Sequence, residues 1–165
     1  MSFYTEVANG SSASDLESNL NSALAKYSGV SSVSGCGIEY GDGNQHAGVE
    51  FQASGTGASQ PEIQVWAASN SNLSNIGTSL DSAVKNMGTV ENLALYYDKN
   101  NDKWRALVVY LTQDSGKNYQ AMGQTNSKGS NLESNIENAV GDASGVPAFG
   151  YAYGNDNNGA LVVWF

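Results

Sequence analysis

The stretch "LESNLNSAL" at Leu16–Leu24 returns almost unchanged as "LESNIENAV" at Leu132–Val140. In both stretches the apolar residues fall at i, i+4, i+7 and i+8, which is one face of an α-helix. A weaker version of the same stripe lies between them at Ile76–Val84. The sequence therefore predicts three helices that present the same kind of face to a core.

Helix-start signals precede each stripe. A serine stands at the predicted N-cap of each helix: Ser14, Ser74 and Ser130. Glu17 and Glu133 follow three residues later, which is the spacing of a capping box. Gly77 takes that place in the middle helix, and a glycine in a helix interior costs about 1 kcal/mol. We therefore expect the middle helix to be the least stable of the three.

The likeness between the three stretches extends into the flanking sequence. A strand pattern precedes each helix, and two follow it around a loop rich in Gly, Asn and Asp: "GDGNQH", "DKNNDK" and "GNDNNG". Such loops are typical of β-hairpins. The unit strand–helix–strand–strand thus occurs three times at a period of about 55–60 residues. We expect one domain over residues 1–165, with repeats at roughly 1–56, 60–113 and 117–165.

The connections between the repeats suggest how the strands pair. The link "TQDSGK" between the second and third repeats is short enough for a hairpin. The last strand of one repeat is then expected to pair with the first strand of the next, and "FYTEV" at the N-terminus with "LVVWF" at the C-terminus. The predicted fold is a closed pseudo-threefold α+β domain of antiparallel three-stranded meanders with three helices.

Two patterns at the strands predict local packing. Ala106 and Val108 alternate with Leu107 and Val109 in the returning strand of the second repeat, so we expect both of its faces to be buried. In the first repeat, Gly48 and Glu50 stand where the other repeats carry Leu and Val. The returning strand of the first repeat should therefore face more solvent. Asparagines are expected to form Asx turns where the first strands end: Asn9, Asn70 and Asn126.

Composition excludes several classes of function. The chain is 40% hydrophobic and only 14% charged, with a net charge of −9. An acidic chain with few Lys and Arg is not expected to bind nucleic acid or anionic membranes. No apolar stretch is long enough for membrane insertion. The N-terminus has no signal-peptide pattern, which predicts a cytoplasmic protein, or a secreted one if a leader has been removed.

Catalytic and metal sites have weak support in the sequence. Cys36 and His46 are the only residues of their kinds and could form a pair across a hairpin, but no third orienting group is evident. Glu39 and Glu50 lie on neighbouring strands, as the carboxylates of a glycosidase would. The stretch Asp98–Asp102 has the spacing of the start of a calcium loop without its final glutamate. We expect no catalytic residue, no metal and no cofactor, and treat these features as structural.

Aromatic and amide residues gather at the predicted hairpin tips. Aromatic rings can stack on the C–H faces of sugars while amides and carboxylates bond the hydroxyls. The predicted binding residues are Tyr40, Asp42, Asn44, Tyr97, Asn100, Asp102, Trp104, Tyr153, Asn155, Asp156 and Asn157. These predict a non-catalytic, lectin-like protein for a glycan or small polar ligand, with up to three related sites. The alternative is an interaction or inhibitor protein whose hairpin loops dock on a protein partner; a small hydrolase using carboxylates ranks third.

Overall fold

The computed structural model describes residues 1–165 as an α+β protein with three helices and four antiparallel sheets. In chain order the elements are β1 (Ser2–Gly10), α1 (Ala13–Leu24), β2 (Tyr27–Ser28), β3 (Ser32–Gly41), β4 (Asn44–Ala53), β5 (Gly55–Thr56), β6 (Ile63–Asn70), α2 (Leu73–Val84), β7 (Thr89–Asp98), β8 (Lys103–Leu111), β9 (Gln120–Asn126), α3 (Gly129–Val140), β10 (Ala148–Gly154) and β11 (Asn157–Trp164). No helix combines the length and the apolar character that crossing a membrane requires.

Each helix belongs to a set of strands that forms its own three-stranded sheet. The strand orders are β1-β4-β3 in the first sheet, β6-β8-β7 in the second and β9-β11-β10 in the third. In every sheet the strand after the hairpin is central, and the strand before the helix is an edge. We call the three sets unit 1 (residues 2–56), unit 2 (63–111) and unit 3 (120–164). The short strands β2 and β5 pair with each other inside unit 1.

The predicted ring closure is wrong. Strand β1 pairs with β4 of its own unit, from Ser2 opposite Ala53 to Gly10 opposite Gln45. Strand β11 is flanked by β10 and β9, so it has no free edge for the N-terminal strand. The link after β8 leads to β9 in the third sheet, so β8 and β9 do not form a hairpin. With the observed pairing, α1 packs against strands of its own unit and α3 packs against strands of its own unit.

The three sheets are stacked, with α1 between the first and the second. Leu16, Leu20 and Leu24 of α1 are fully buried, as their spacing predicts. They share one core cluster with side chains from β4, β6 and β8. The first sheet contributes Val49 and Phe51, among others, to this cluster. The helix is therefore covered on both sides.

Helix α2 lies in the same way between the second and third sheets. Its residues Ile76 and Leu80 are buried beside Val108 of β8 and Leu161 of β11. Leu107 of β8, next to Val108 in sequence, belongs instead to the cluster around α1. The expected burial of both faces of this strand is confirmed. Its second face packs on the preceding helix and not on a symmetry axis.

The strands after the helices contact one another directly between the layers. Strand β3 packs against β7, and β7 against β10. A Cβ placed on Gly150 of β10 would overlap Leu93 of β7, and one on Gly154 would overlap the ring of Tyr97. These glycines therefore make room for the side chains of the preceding layer.

The helices begin two residues earlier than the serine pattern predicts. Their N-caps are Ser12, Asn72 and Lys128, so the assignment to Ser14, Ser74 and Ser130 is wrong. Ser12 Oγ accepts the N–H of Asp15 at 3.1 Å, whereas Lys128 has no side-chain cap. Nor does Glu17 form a capping box, because its carboxylate accepts the N–H of Ala67 in the second sheet at 2.8 Å.

The expected Asx turns are present in two of the three units. Asn70 Oδ1 accepts the N–H of Asn72 at 2.9 Å, and Asn126 Oδ1 accepts that of Lys128 at 3.0 Å. In unit 1 the equivalent position is Gly10, one residue after Asn9. A Cβ on Gly10 would overlap the backbone of Leu16. The strand here lies too close to its helix for an asparagine.

Burial differs greatly between the three helices. Gly77 lies against the backbone of Gly123 in β9, and a Cβ would overlap its nitrogen atom. The glycine is thus required for close packing of α2, the helix that we expected to be the least stable. Helix α3 packs on β9 and β11 of its own sheet, and Leu132 is its only buried residue. Ile136, on the same stripe, is partly exposed.

Candidate functional site

The predicted hairpin tips are present at the ends of the three hairpins. Asp42 and Gly43 form the first turn, residues 99–102 the second, and Asn155 and Asp156 the third. Asp42, Asn155 and Asp156 have φ values of 50°, 51° and 56°, and Asp102 has 49°. Asp and Asn adopt this left-handed conformation more readily than other non-glycine residues, which explains the composition of these loops.

The second and third tips enclose a cleft of about 610 Å³ between them. We call it the tip cleft. It brings together five of the predicted binding residues with Lys99: Tyr97, Asp102, Tyr153, Asn155 and Asp156. Because β7 packs on β10, these two hairpins lie side by side. The first tip does not contribute to the cleft.

Tyr97 and Tyr153 provide aromatic surface in the tip cleft in different ways. The Tyr97 ring is fixed between Gly154 and Trp104, with a ring-centroid distance of 4.9 Å to the indole. Its hydroxyl donates a hydrogen bond to Asp102 Oδ1, which raises the pKa of Tyr97 to about 12. Tyr97 is therefore neutral at physiological pH. The Tyr153 ring is 62% exposed, so its face is open to a ligand.

A buried ion pair holds the second tip in shape. Asp98 accepts the N–H groups of Asn100 and Asn101 at 3.1 and 3.2 Å, and it is paired with Arg105. Burial alone would raise the pKa of Asp98, but the hydrogen bonds from Arg105 and Asn101 outweigh it and the pKa is lowered. Since both carboxylate oxygens are engaged within the hairpin, Asp98 is not arranged as a free metal ligand. No cluster of three or more His, Cys, Asp or Glu side chains has the arrangement of a metal site.

The first tip has a different environment. The guanidinium of Arg105 lies 4.2 Å from the centroid of the Tyr40 ring and so covers one of its faces. Asn44 Nδ2 donates to the carbonyl of Asp42 at 3.3 Å. The side chains of Tyr40 and Asn44 are thus engaged within the protein, whereas Asp42 takes part through its backbone carbonyl and is exposed. At the third tip, Asn157 Nδ2 likewise donates to the carbonyl of Asn155, at 2.7 Å.

Trp104 does not provide the exposed platform that its charged neighbours suggested. Its side chain is only 3% exposed and belongs to the core cluster around α2. The ring lies against Gly159 of β11, and Leu73 of α2 belongs to the same core cluster. The lack of a side chain at Gly159 leaves space for the indole between the layers. That space comes from the stacking of two sheets and has no local signature in sequence.

The pairs of reactive residues considered from the sequence are separated in the structure. Cys36 is paired in register with the buried Val49 and is itself mostly buried, which raises its pKa to about 12. His46 is on the opposite face of the sheet, in register with Glu39. Cys36 and His46 therefore do not form a nucleophile–base pair.

The two carboxylates considered for glycoside hydrolysis are also apart. Glu39 is opposite His46, and Glu50 is four residues further along the same strand. At the rise of a β-strand this places them about 13 Å apart. Carboxylate pairs in glycosidases are separated by roughly 5–9.5 Å.

The sequence reasoning missed two residues of the tip cleft and a row of exposed side chains. Lys99 and Gly154 line the cleft. Phe149 and Tyr151 lie on β10 before Tyr153, and all three are more than half exposed. Their signal is the alternation of aromatic residues with glycine and alanine in "FGYAYG". It indicates a strand with small residues on the packed face and aromatic residues on the other.

Comparison with known proteins gives no family for this chain. No protein-family model matches it, and no match is found among curated proteins or solved structures.

Proposed function

We propose that this protein is a non-catalytic binding protein and that it takes a carbohydrate in the tip cleft. The observation that carries the proposal is the pairing of an open aromatic ring, Tyr153, with several hydrogen-bonding groups in one cleft. A sugar needs both an apolar surface for its C–H face and partners for its hydroxyls. Asp102, Asn155 and Asp156 supply acceptors, and Lys99 supplies a donor.

The three units are, in this proposal, copies of one repeat whose tips have diverged. The tip cleft needs two neighbouring tips, so units 2 and 3 form it together. The tip of unit 1 has an equivalent tyrosine, Tyr40, but Arg105 covers its ring. We therefore assign one strong site to the chain and weaker binding to the first tip.

The test is a screen of the full-length chain on a glycan array, followed by titration calorimetry with a monovalent oligosaccharide that binds. Tyr153→Ala should weaken binding by about 5–150-fold, since loss of one aromatic platform costs about 1–3 kcal/mol by analogy with base stacking. Tyr151→Ala is the matched control, because it removes an exposed tyrosine from the same strand outside the cleft. Equal weakening in both variants, or an array without any bound glycan, would contradict the proposal.

A protein-interaction function is the second candidate. The row of exposed aromatic side chains on β10 favours it, since contiguous apolar surface of this kind marks interaction sites. This row lies on the outer face of the third sheet and reaches the hairpin loop only at Tyr153. It thus differs from docking through the loops alone, which the sequence suggested.

A further inference from the structure

The two ends of the stack of sheets are exposed and complementary. We propose that this chain assembles head to tail, with the end formed by α3 and the third sheet binding the outer face of the first sheet of a second copy. We call these the α3 end and the β1 end. Two kinds of contact join neighbouring units inside the chain. The groups that make each contact are found again at the two ends, where they have no partner within the chain.

The first recurring contact joins a helix to the edge of the next sheet. Asn21 of α1 is hydrogen-bonded to the backbone of Val65 in the edge strand β6, accepting its N–H at 2.7 Å and donating to its carbonyl at 3.0 Å. Asp81 of α2 accepts the N–H of Ala121 in the edge strand β9 at 3.0 Å. Asn21 and Asp81 both lie nine residues after their N-caps, so the contact is the same in both places.

At the α3 end, carboxylates stand at the same helix positions, but no edge strand of a further unit lies beside them. Glu137 lies nine residues after the N-cap of α3, as Asn21 and Asp81 do in their helices. Glu133 occupies the place of Glu17, which accepts the N–H of Ala67 in β6. Both glutamates are exposed and border a groove of about 230 Å³ with Leu132 and Ile136. No further three-stranded sheet of the chain covers this groove.

The β1 end offers the missing strand. Strand β1 is an edge of the first sheet, as β6 and β9 are of theirs. Thr5 and Val7 lie seven and five residues before the N-cap Ser12, the same spacings that separate Val65 and Ala67 from Asn72. Their N–H groups are therefore placed to meet Glu137 and Glu133. The side chains of Phe3 and Val7 on this face are 64% and 73% exposed.

The second recurring contact sets large side chains over glycines. In the chain, Tyr97 lies over Gly154, and Leu93 and Leu95 lie over Gly150. At the α3 end, Tyr153 and Tyr151 occupy the places of Tyr97 and Leu95, counted back from the hairpin turn.

At the β1 end, Gly41 and Gly37 occupy the places of Gly154 and Gly150. Open space surrounds the Cβ positions of both glycines, and Gly37 borders a shallow depression of about 630 Å³ on this face. The two ends are therefore matched in shape as well as in hydrogen bonding. Because the two surfaces differ, the contact is heterologous, and repeated addition of copies builds a filament or, where the rotation between copies closes, a ring.

The experiment measures self-association of the full chain by sedimentation velocity over a range of concentrations. Gly37→Arg blocks the β1 end and Tyr151→Arg blocks the α3 end. Each should shift the weight-average mass to that of a monomer, with association weakened about tenfold or more. Asn86→Arg, on an exposed residue outside both ends, is the control and should associate like the wild type. Thermal melting checks that every variant is folded.

Mixing the two blocked variants identifies the head-to-tail contact. Each variant keeps one free end, so an equimolar mixture should form 1:1 dimers that do not grow further. A wild-type chain that is monomeric up to about 1 mM would overturn the proposal. So would dimerisation of Gly37→Arg alone, because it would mean that the α3 end binds a second α3 end.

Tyr153 belongs both to the tip cleft and to the α3 end, whereas Gly37 and Tyr151 lie outside the cleft. Loss of assembly in these two variants therefore leaves the carbohydrate proposal untouched. Because assembly would place Tyr153 over Gly41 of the next copy, the glycan screen is made at a concentration where the chain is monomeric, and its failure then has no bearing on assembly.

Discussion

Helices α2 and α3 carry nearly the same apolar stripe and lie in opposite surroundings. Leu80 and Ile136 occupy the same place on the two helices, eight residues after the N-cap. Leu80 is fully buried between two sheets, while Ile136 is partly exposed on the last one. An amphipathic pattern thus specifies which face of a helix is apolar. How completely that face is buried depends on the number of sheets around it.

The largest expected difference between the two helices is in the cost of truncating their stripes. Leu80→Ala should lower the free energy of unfolding by about 2–5 kcal/mol, as a buried large-to-small change does. Ile136→Ala should cost less than about half of that, because its side chain already contacts solvent. Urea unfolding of both variants, at a concentration where the wild type is monomeric, measures the difference. Equal costs would mean that α3 is covered as fully as α2.

A smaller effect is expected from adding a methyl group where α2 meets the third sheet. Gly77→Ala should destabilise the protein by about 1–3 kcal/mol, because the Cβ would force the helix away from Gly123. This outweighs the gain of about 1 kcal/mol in helix propensity. Glu133→Ala is the matched control on α3, and it should be nearly neutral in the monomer. A stabilised Gly77→Ala variant would show that α2 has room against β9.

The smallest expected effect concerns the start of α3. Lys128→Ser should raise the free energy of unfolding by about 1 kcal/mol, since the N-cap has extended backbone geometry and no side-chain cap. It also removes a positive charge from the positive end of the helix dipole. The opposite change, Ser12→Ala on α1, should cost a similar amount because it removes the bond to Asp15. If Lys128→Ser leaves thermal stability unchanged, the first turn of α3 frays in the folded protein.

The residues at the hairpin tips could be predicted from the sequence because a turn is a local structure. Asp42, Asp102 and Asn155 stand where the chain must turn, and a turn depends on a few adjacent residues. The tip cleft could not be predicted, since it depends on β7 lying against β10. Trp104 shows the same limit. Its charged neighbours in sequence suggest that the side chain is exposed. In the structure it is buried, because Gly159 of unit 3 leaves space for the indole.

Local sequence patterns were enough to predict the three helices, the apolar face of each, the hairpins and the burial of both faces of β8. These features follow from the spacing of apolar residues and from turn residues, which act over a few positions. Tertiary structure decided which strand pairs with β4 and β11, and which helices are covered on both sides. Backbone hydrogen bonds are alike for any two strands, so sequence patterns do not distinguish pairing within a unit from pairing between units. Contacts between residues far apart in the chain hold the helices against the neighbouring sheets in the observed arrangement, such as the Glu17 carboxylate with the Ala67 N–H and the close backbone approach of Gly77 to Gly123.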